Sequence, residues 1–224
     1  MKKIWLLFFI CVSGVLQAQS RVTIGWLPEV SVSHRWAEQW RLTGQLESMQ
    51  RGWETDGKGE LRGDYRYIRT DATLALSYRL GPSWSVAVGN MARLQGRDFV
   101  YRTLQQISYS RRGQFRLAHR FRTDQTFVSN QATRYRFRYR FSIEVPLKGQ
   151  SLNDGEWYLI SSVEQIAQLQ GAGWQWEQRQ ATALGYYING KNKVEVGFDY
   201  RLDDFIETRG RHRIWTTLNY FVNL

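Results

Sequence analysis

Cysteine is nearly missing: the only one, Cys11, sits within the first twenty residues. The rest of the chain therefore has no disulfide, no thiolate metal site and no cysteine nucleophile. Histidine is almost as scarce. His34, His119 and His212 are too scattered to match a zinc-ligand spacing, so no metal is expected. After residue 20 no apolar run is long enough for a bilayer-spanning helix, and no 3.6-residue period persists. A helical membrane protein and a coiled coil are both excluded. The glycines are dispersed, without a phosphate loop or a dinucleotide fingerprint, and no cofactor is expected.

What is present is aromatic and basic. The chain holds 10 Trp, 12 Tyr and 11 Phe, with 31 Lys+Arg against 20 Asp+Glu. Hydrophobic residues make up 42%, too many for a disordered chain, and 224 residues without a composition break suit one domain. The start reads as an export signal. Lys2 and Lys3 precede the apolar stretch Ile4 to Val12, and Leu16-Gln17-Ala18 precedes an expected cut before Gln19. Phe8-Phe9-Ile10 before Cys11 does not fit a lipoprotein signal. The domain reading is a signal peptide over 1–18 and one β-barrel over 19–224. Export turns the basic surplus away from nucleic acid, toward lipid phosphates, small anions and internal carboxylates.

Almost everywhere the pattern has period two, in segments separated by turn residues. The segments are 22–33, 40–53, 63–80, 84–97, 99–111, 114–127, 132–147, 155–166, 175–189, 192–203 and 210–224. Gly81-Pro82-Ser83, Arg112-Gly113 and Asn189-Gly190-Lys191-Asn192 predict tight turns, the last because Asn and Gly tolerate positive φ. Trp53 to Arg62, Gln168 to Gln175 and Asp203 to His212 predict longer loops. Short turns on one rim and long loops on the other are the plan of outer-membrane barrels.

The clearest strand is 132–147, where Arg134, Arg136, Arg138 and Arg140 alternate with Tyr135, Phe137, Tyr139 and Phe141. Neighbours on a strand point to opposite faces, so one face is guanidinium and the other aromatic. Segment 114–127 repeats this, with Arg116, Arg120 and Arg122 opposing Phe115, Leu117 and Phe121. A soluble barrel would turn the aromatics inward; a membrane barrel would turn them to lipid. An Arg at the lipid midplane costs about 2–4 kcal/mol. Four on one strand must therefore face the lumen if there is a membrane. Long strands, aromatics near strand ends and the export signal favour the outer-membrane solution.

This pattern resembles a family of uncharacterised bacterial outer-membrane barrels, the domain of unknown function 2490. The resemblance rests on Trp26, on the strand pair ending in Gln50-Arg51, on Arg102 to Gln106, and on Leu117-Ala118-His119-Arg120-Phe121-Arg122-Thr123-Asp124-Gln125. Arg134 to Arg140 and Pro146-Leu147 follow in the same order. It implies an outer-membrane β-barrel and little about activity; the segments themselves predict an all-β, single transmembrane antiparallel up-and-down β-barrel of 10–12 strands. The sequence differs from the family where Glu is frequent at the position of Thr123 or Asp124. It also ends on Leu224, where barrel-assembly signals favour an aromatic. Single-chain bacterial barrels have even strand numbers, so eleven segments predict twelve strands, or ten with residues 20–36 as a plug or arm.

The predicted cationic wall of the lumen is Arg116, Arg120, Arg122, Arg134, Arg136, Arg138 and Arg140. In phase with it are the carboxylates Glu47, Asp71, Glu164, Glu177, Glu195 and Asp199, and also Arg79, Arg93, Arg179 and Arg201. A net positive lumen follows: either a structural barrel filled by Arg–carboxylate pairs, or a narrow anion-attracting pore or binding barrel. Tyr135, Phe137, Tyr139 and Phe141 are the predicted lipid-facing aromatics. Two alternatives stand beside this. One is a lipid-modifying hydrolase using His119 with Ser108 or Ser110; the other is a soluble periplasmic barrel that binds a hydrophobic ligand. No residue set completes a catalytic constellation. Expected partners are outer-membrane lipid and lipopolysaccharide, the outer-membrane assembly machinery, and small anions. In the last long loop, Asp203, Asp204 and Glu207 could hold a cation, and Arg209, Arg211 and His212 could meet lipopolysaccharide phosphates.

Overall fold

The computed structural model describes residues 21–55, 59–96, 98–129, 131–149, 151–204 and 210–224. The expected signal peptide lies outside the described residues, as do Glu207 and Arg209. Every regular element described is a strand: β1 (Val22–His34), β2 (Trp40–Thr55), β3 (Leu61–Arg79), β4 (Trp84–Gln95), β5 (Asp98–Arg112), β6 (Arg116–Phe127), β7 (Arg134–Pro146), β8 (Glu156–Gln170), β9 (Gly173–Asn189), β10 (Asn192–Asp203) and β11 (Arg211–Asn223). Strands of 12 to 19 residues exceed the ~5–6 usual in globular sheets.

Consecutive strands pair antiparallel, and β1 closes on β11 to complete a barrel. That closure is parallel, with Val22 beside His212 through to Ser33 beside Asn223. Strands in an up-and-down chain alternate direction, so an odd number leaves the first and last pointing the same way. The expected even number is therefore not adopted. Residues 22–33 are neither plug nor arm: they are a wall strand, because only β1 covers the hydrogen-bonding edges of both β2 and β11.

The strands define two rims. The C-terminal rim carries residues 35–39, 80–83, 113–115, 147–155 and 190–191; the N-terminal rim carries the other connections. The three predicted tight turns all lie on the C-terminal rim. However, a nine-residue connection, 147–155, lies there too. The stretch Gln168 to Gln175, predicted as a long loop, is strand up to a two-residue turn in which Gly171 takes φ +60°. Loop length does not separate the rims.

Side chains sort by the strand period. Outward are Leu46, Leu74, Val88, Phe121, Val196 and Leu218, all more than half exposed. Aromatics form a belt at each end of this apolar band. At the N-terminal rim Trp26 packs on Trp53 at 5.4 Å between ring centres, and Trp174 stacks on Trp176. At the C-terminal rim Trp40 meets Tyr78, Trp84 meets Tyr109 and Trp157 meets Tyr186, each within 4.9 Å. The aromatics-inward arrangement is not the one adopted.

The interior holds a small apolar cluster near the parallel seam, where Leu27, Met49 and Trp215 are buried with Ile68 against them. Gly25 makes room for it. A Cβ there would lie 2.1 Å from the Gln50 carbonyl oxygen and 2.6 Å from the Trp215 ring. Irregular pairing between β1 and β2 and between β2 and β3 falls around the same place.

Candidate functional site

All seven arginines of the predicted wall face inward, brought together by β6 and β7. Their register sets Arg120 beside Arg140, Arg122 beside Arg138, and Asp124 beside Arg136. Arg136 donates to Asp124 at 2.7 Å. Arg138 donates to Glu164 at 2.8 Å and reaches Asp124 at 3.4 Å. Arg120 donates to Glu164 at 2.9 Å, and Arg140 approaches the same carboxylate at 3.4 Å. Glu164 on β8 is thus shared by at least three guanidinium groups, with Arg179 a further 3.9 Å contact. Arg122 bonds only the Gln106 amide oxygen, through two nitrogens at 3.0 and 2.6 Å. Arg134 donates to Gln170 at the N-terminal rim, and Arg116 lies 3.7 Å from Glu144 near the other rim.

The predicted carboxylates also face inward. Arg93 grips Asp71 through two bonds of 2.7 Å, and Arg201 grips Asp199 through two of 3.0 Å. Such paired contacts are the strong form of Arg–carboxylate bonding. Glu177 accepts from Arg179 at 2.7 Å and Arg213 at 3.1 Å. Glu195 accepts from Lys193 at 2.9 Å and from the buried Tyr158 hydroxyl at 2.6 Å. Glu47 has only Arg69, at 3.9 Å. Of the further in-phase arginines, Arg93, Arg179 and Arg201 join the network, whereas Arg79 stands exposed at the end of β3. Tyr135 and Phe137 are exposed outward. Tyr139 and Phe141 share that face, Tyr139 against Phe121 and both against His119.

Sequence reasoning missed several members. Asp124 is two residues from Arg122 and in phase with it, so its signal was present. Glu29 belongs to the strand that could have been a plug. Arg69 is two residues from Asp71 in regular pairing, so its signal was present too, whereas Arg213 lies just after a loop, where parity along the chain is easily lost. Tyr158 enters the lumen because position 185, its neighbour on β9, is glycine: a Cβ there would sit 2.1 Å from the Tyr158 ring.

The lumen contains a cavity of about 470 Å³. Eleven cationic side chains line it against six carboxylates, and Glu164 and Glu177, bonded to lining arginines, do not close the gap. The interior is net positive. It is also packed unevenly along its axis. In the N-terminal half Val100, Arg102, Thr126, Arg201, Asp203 and Trp215 are buried and Arg51 and Arg213 partly so; in the other half Tyr158 and Glu195 are buried, whereas Ser31, Thr43, Ser85, Ser108 and Asn219 are only partly so. Within the arginine wall the Arg136 and Arg138 side chains are 9% exposed, Arg140 33% and Arg116 44%, while Arg134 at the opposite end of the wall is also partly exposed. The cavity extends toward the C-terminal rim, where Ser31, Lys193, Asn219 and Phe221 line it, and does not reach Arg134, Asp203 or Arg213 near the other rim.

The wall separates the proposed hydrolase residues. Ser108 pairs with Arg120 and shares its inward face, as does Ser110 with Ala118. His119 points outward, its Nδ1 2.9 Å from the Tyr139 hydroxyl, in the aromatic belt with Tyr109 and Phe141. Among the described residues no group of three or more His, Cys, Asp or Glu converges to hold a metal ion. In the last loop Arg211 reaches Asp204 at 3.5 Å, Asp203 is taken by Arg213, and His212 bonds Tyr200 at 2.7 Å.

Fold and site together define a closed β-barrel with an apolar exterior and an ionic interior that holds a cavity. The sequence profile of a protein family of unknown function, DUF2490, matches residues 24–208, and the chain belongs to that family. Neither the curated proteins nor the solved structures contain a match.

Proposed function

We propose that this chain is an outer-membrane barrel whose arginine-lined lumen receives a small anion through the C-terminal rim. One observation carries the anion reading: Arg120, Arg138 and Arg140 share Glu164 while Arg122 has only a neutral amide, all around one cavity. A guanidinium without a full counter-charge has to meet water or an anion, and rings of Arg favour anions. The membrane reading is supported by the outward apolar band between two aromatic belts, the pattern of barrels that sit in lipid. Outer-membrane lipid and lipopolysaccharide would contact those belts, and the outer-membrane assembly machinery would insert the chain.

Two measurements test this. Cell fractionation with heat-modifiable gel migration should place the protein in the outer membrane as a folded barrel; recovery in the soluble fraction without detergent would refute the location. The refolded barrel should unfold at a higher temperature in inorganic phosphate than in chloride at equal ionic strength. That difference should vanish on Arg122→Gln with Arg140→Gln. No phosphate effect in the unaltered protein would refute the anion reading.

A further inference from the structure

The cavity has a second pole that the anion reading leaves unused. On β1, Glu29 stands directly beside Glu47 of β2, and both face the cavity. Among the described residues no Lys or Arg lies within salt-bridge distance of Glu29, and the nearest to Glu47 is Arg69 at 3.9 Å. The neighbouring inward carboxylates differ. Glu195 is neutralised by Lys193 and Asp71 by Arg93, and Asn219 between β10 and β1 is uncharged. Across the same cavity stand Arg120, Arg122 and Arg140, which have less negative charge than they need. Two like charges directly opposed on adjacent strands destabilise a sheet. An unpaired charge out of bulk water is costlier still. No salt bridge joins these arginines to Glu29 or Glu47: Arg120 and Arg140 contact Glu164 on their own side, and Arg122 bonds Gln106.

We infer that the pocket takes a small zwitterion, with a primary ammonium between Glu29 and Glu47 and a carboxylate or other anionic group against Arg120, Arg122 and Arg140. This deepens the anion reading and rests on it. A simple anion satisfies one pole and is repelled by the other; a simple cation does the reverse. A molecule with both charges, separated by a short chain, satisfies both. Oxygen acceptors at one end suit the three donors of an ammonium, and the planar forks at the other suit a carboxylate. Metal binding at the acidic pole is disfavoured, because no third ligand converges there among the described residues.

The test uses the refolded full barrel and matched probes: γ-aminobutyrate and ε-aminocaproate, butyrate and caproate, and butylamine. Binding is read by calorimetry or thermal shift. One charge-assisted interaction at the second pole predicts that one of the amino acids binds roughly tenfold tighter than its matching carboxylate, with butylamine weakest. Glu29→Gln should erase that advantage while leaving carboxylate and phosphate binding intact or improved; Glu47→Gln should do the same. Each removes a like-charge repulsion, and retained heat-modifiable migration verifies folding of both. Equal affinity for amino acid and carboxylate overturns the zwitterion inference while the anion reading stands. Butylamine binding as tightly as the amino acids overturns it too. Loss of phosphate and carboxylate binding altogether removes both readings.

Discussion

The inward face shows how little one residue can be read alone. Glu164 is 1% exposed, yet it is the counter-charge for arginines on three strands. Removing one partner of a buried ion pair typically costs about 3–5 kcal/mol, because the remaining charge is stranded. Glu164→Gln is therefore expected to lower the urea unfolding free energy of the folded barrel by about that amount. A loss within the spread of surface substitutions, below ~0.5 kcal/mol, would show that water screens the cluster. Arg122→Gln should cost less, since it breaks only contacts to Gln106. The arginines and their alternating aromatics were legible because a strand repeats every two residues. Their pairing was not. Which carboxylate serves which guanidinium depends on register between strands, and Glu164 and Arg120 are 44 positions apart.

Among the elements, the strand faces and the seam carry the main consequences. Val196 lies in mid-β10 and is 53% exposed on the outer face. If that face meets hydrocarbon, Val196→Arg should destabilise the liposome-folded protein by about 2–4 kcal/mol, whereas in water the change would be near neutral. Urea unfolding from liposomes measures it. The seam has its own signature. The chain has a single cysteine, at position 11, so introduced pairs are easily followed. Parallel register places Ile24 beside Ile214 and Val32 beside Val222. The double variants Ile24→Cys with Ile214→Cys and Val32→Cys with Val222→Cys should both form disulfides on oxidation. An antiparallel closure could satisfy at most one of the two. All eleven strands were legible as segments, with ends displaced by a few residues. The largest errors fell at β8 and β9, where polar Gln168, Gln170 and Gln175 read as loop but hydrogen-bond within paired strands.

For the molecule as a whole, the decisive property is the uneven filling of the lumen. Leu27, Met49 and Trp215, with the Arg201–Asp199 pair, pack the N-terminal half of the lumen, below the Arg93–Asp71 pair that lines the cavity. A barrel filled by side chains conducts poorly, while wider ones leave an aqueous channel. The purified protein in planar bilayers should show no steady ohmic conductance. A stable open step would demonstrate a through-passage rather than a pocket. The net positive interior was legible from the excess of in-phase arginines. Its asymmetry was not, because burial along the axis depends on how eleven strands stagger around a closed sheet.

The amino-acid order alone determined that the strands exist, where each runs to within a few residues, and which of its two faces is ionic, because alternation is a property of a single chain segment. Strand number parity, the parallel seam, the shared counter-charge at Glu164 and the opposed poles of the cavity were decided only in three dimensions. Each depends on which strand lies beside which, and a strand edge offers its N–H and C=O groups equally well to a parallel or an antiparallel neighbour.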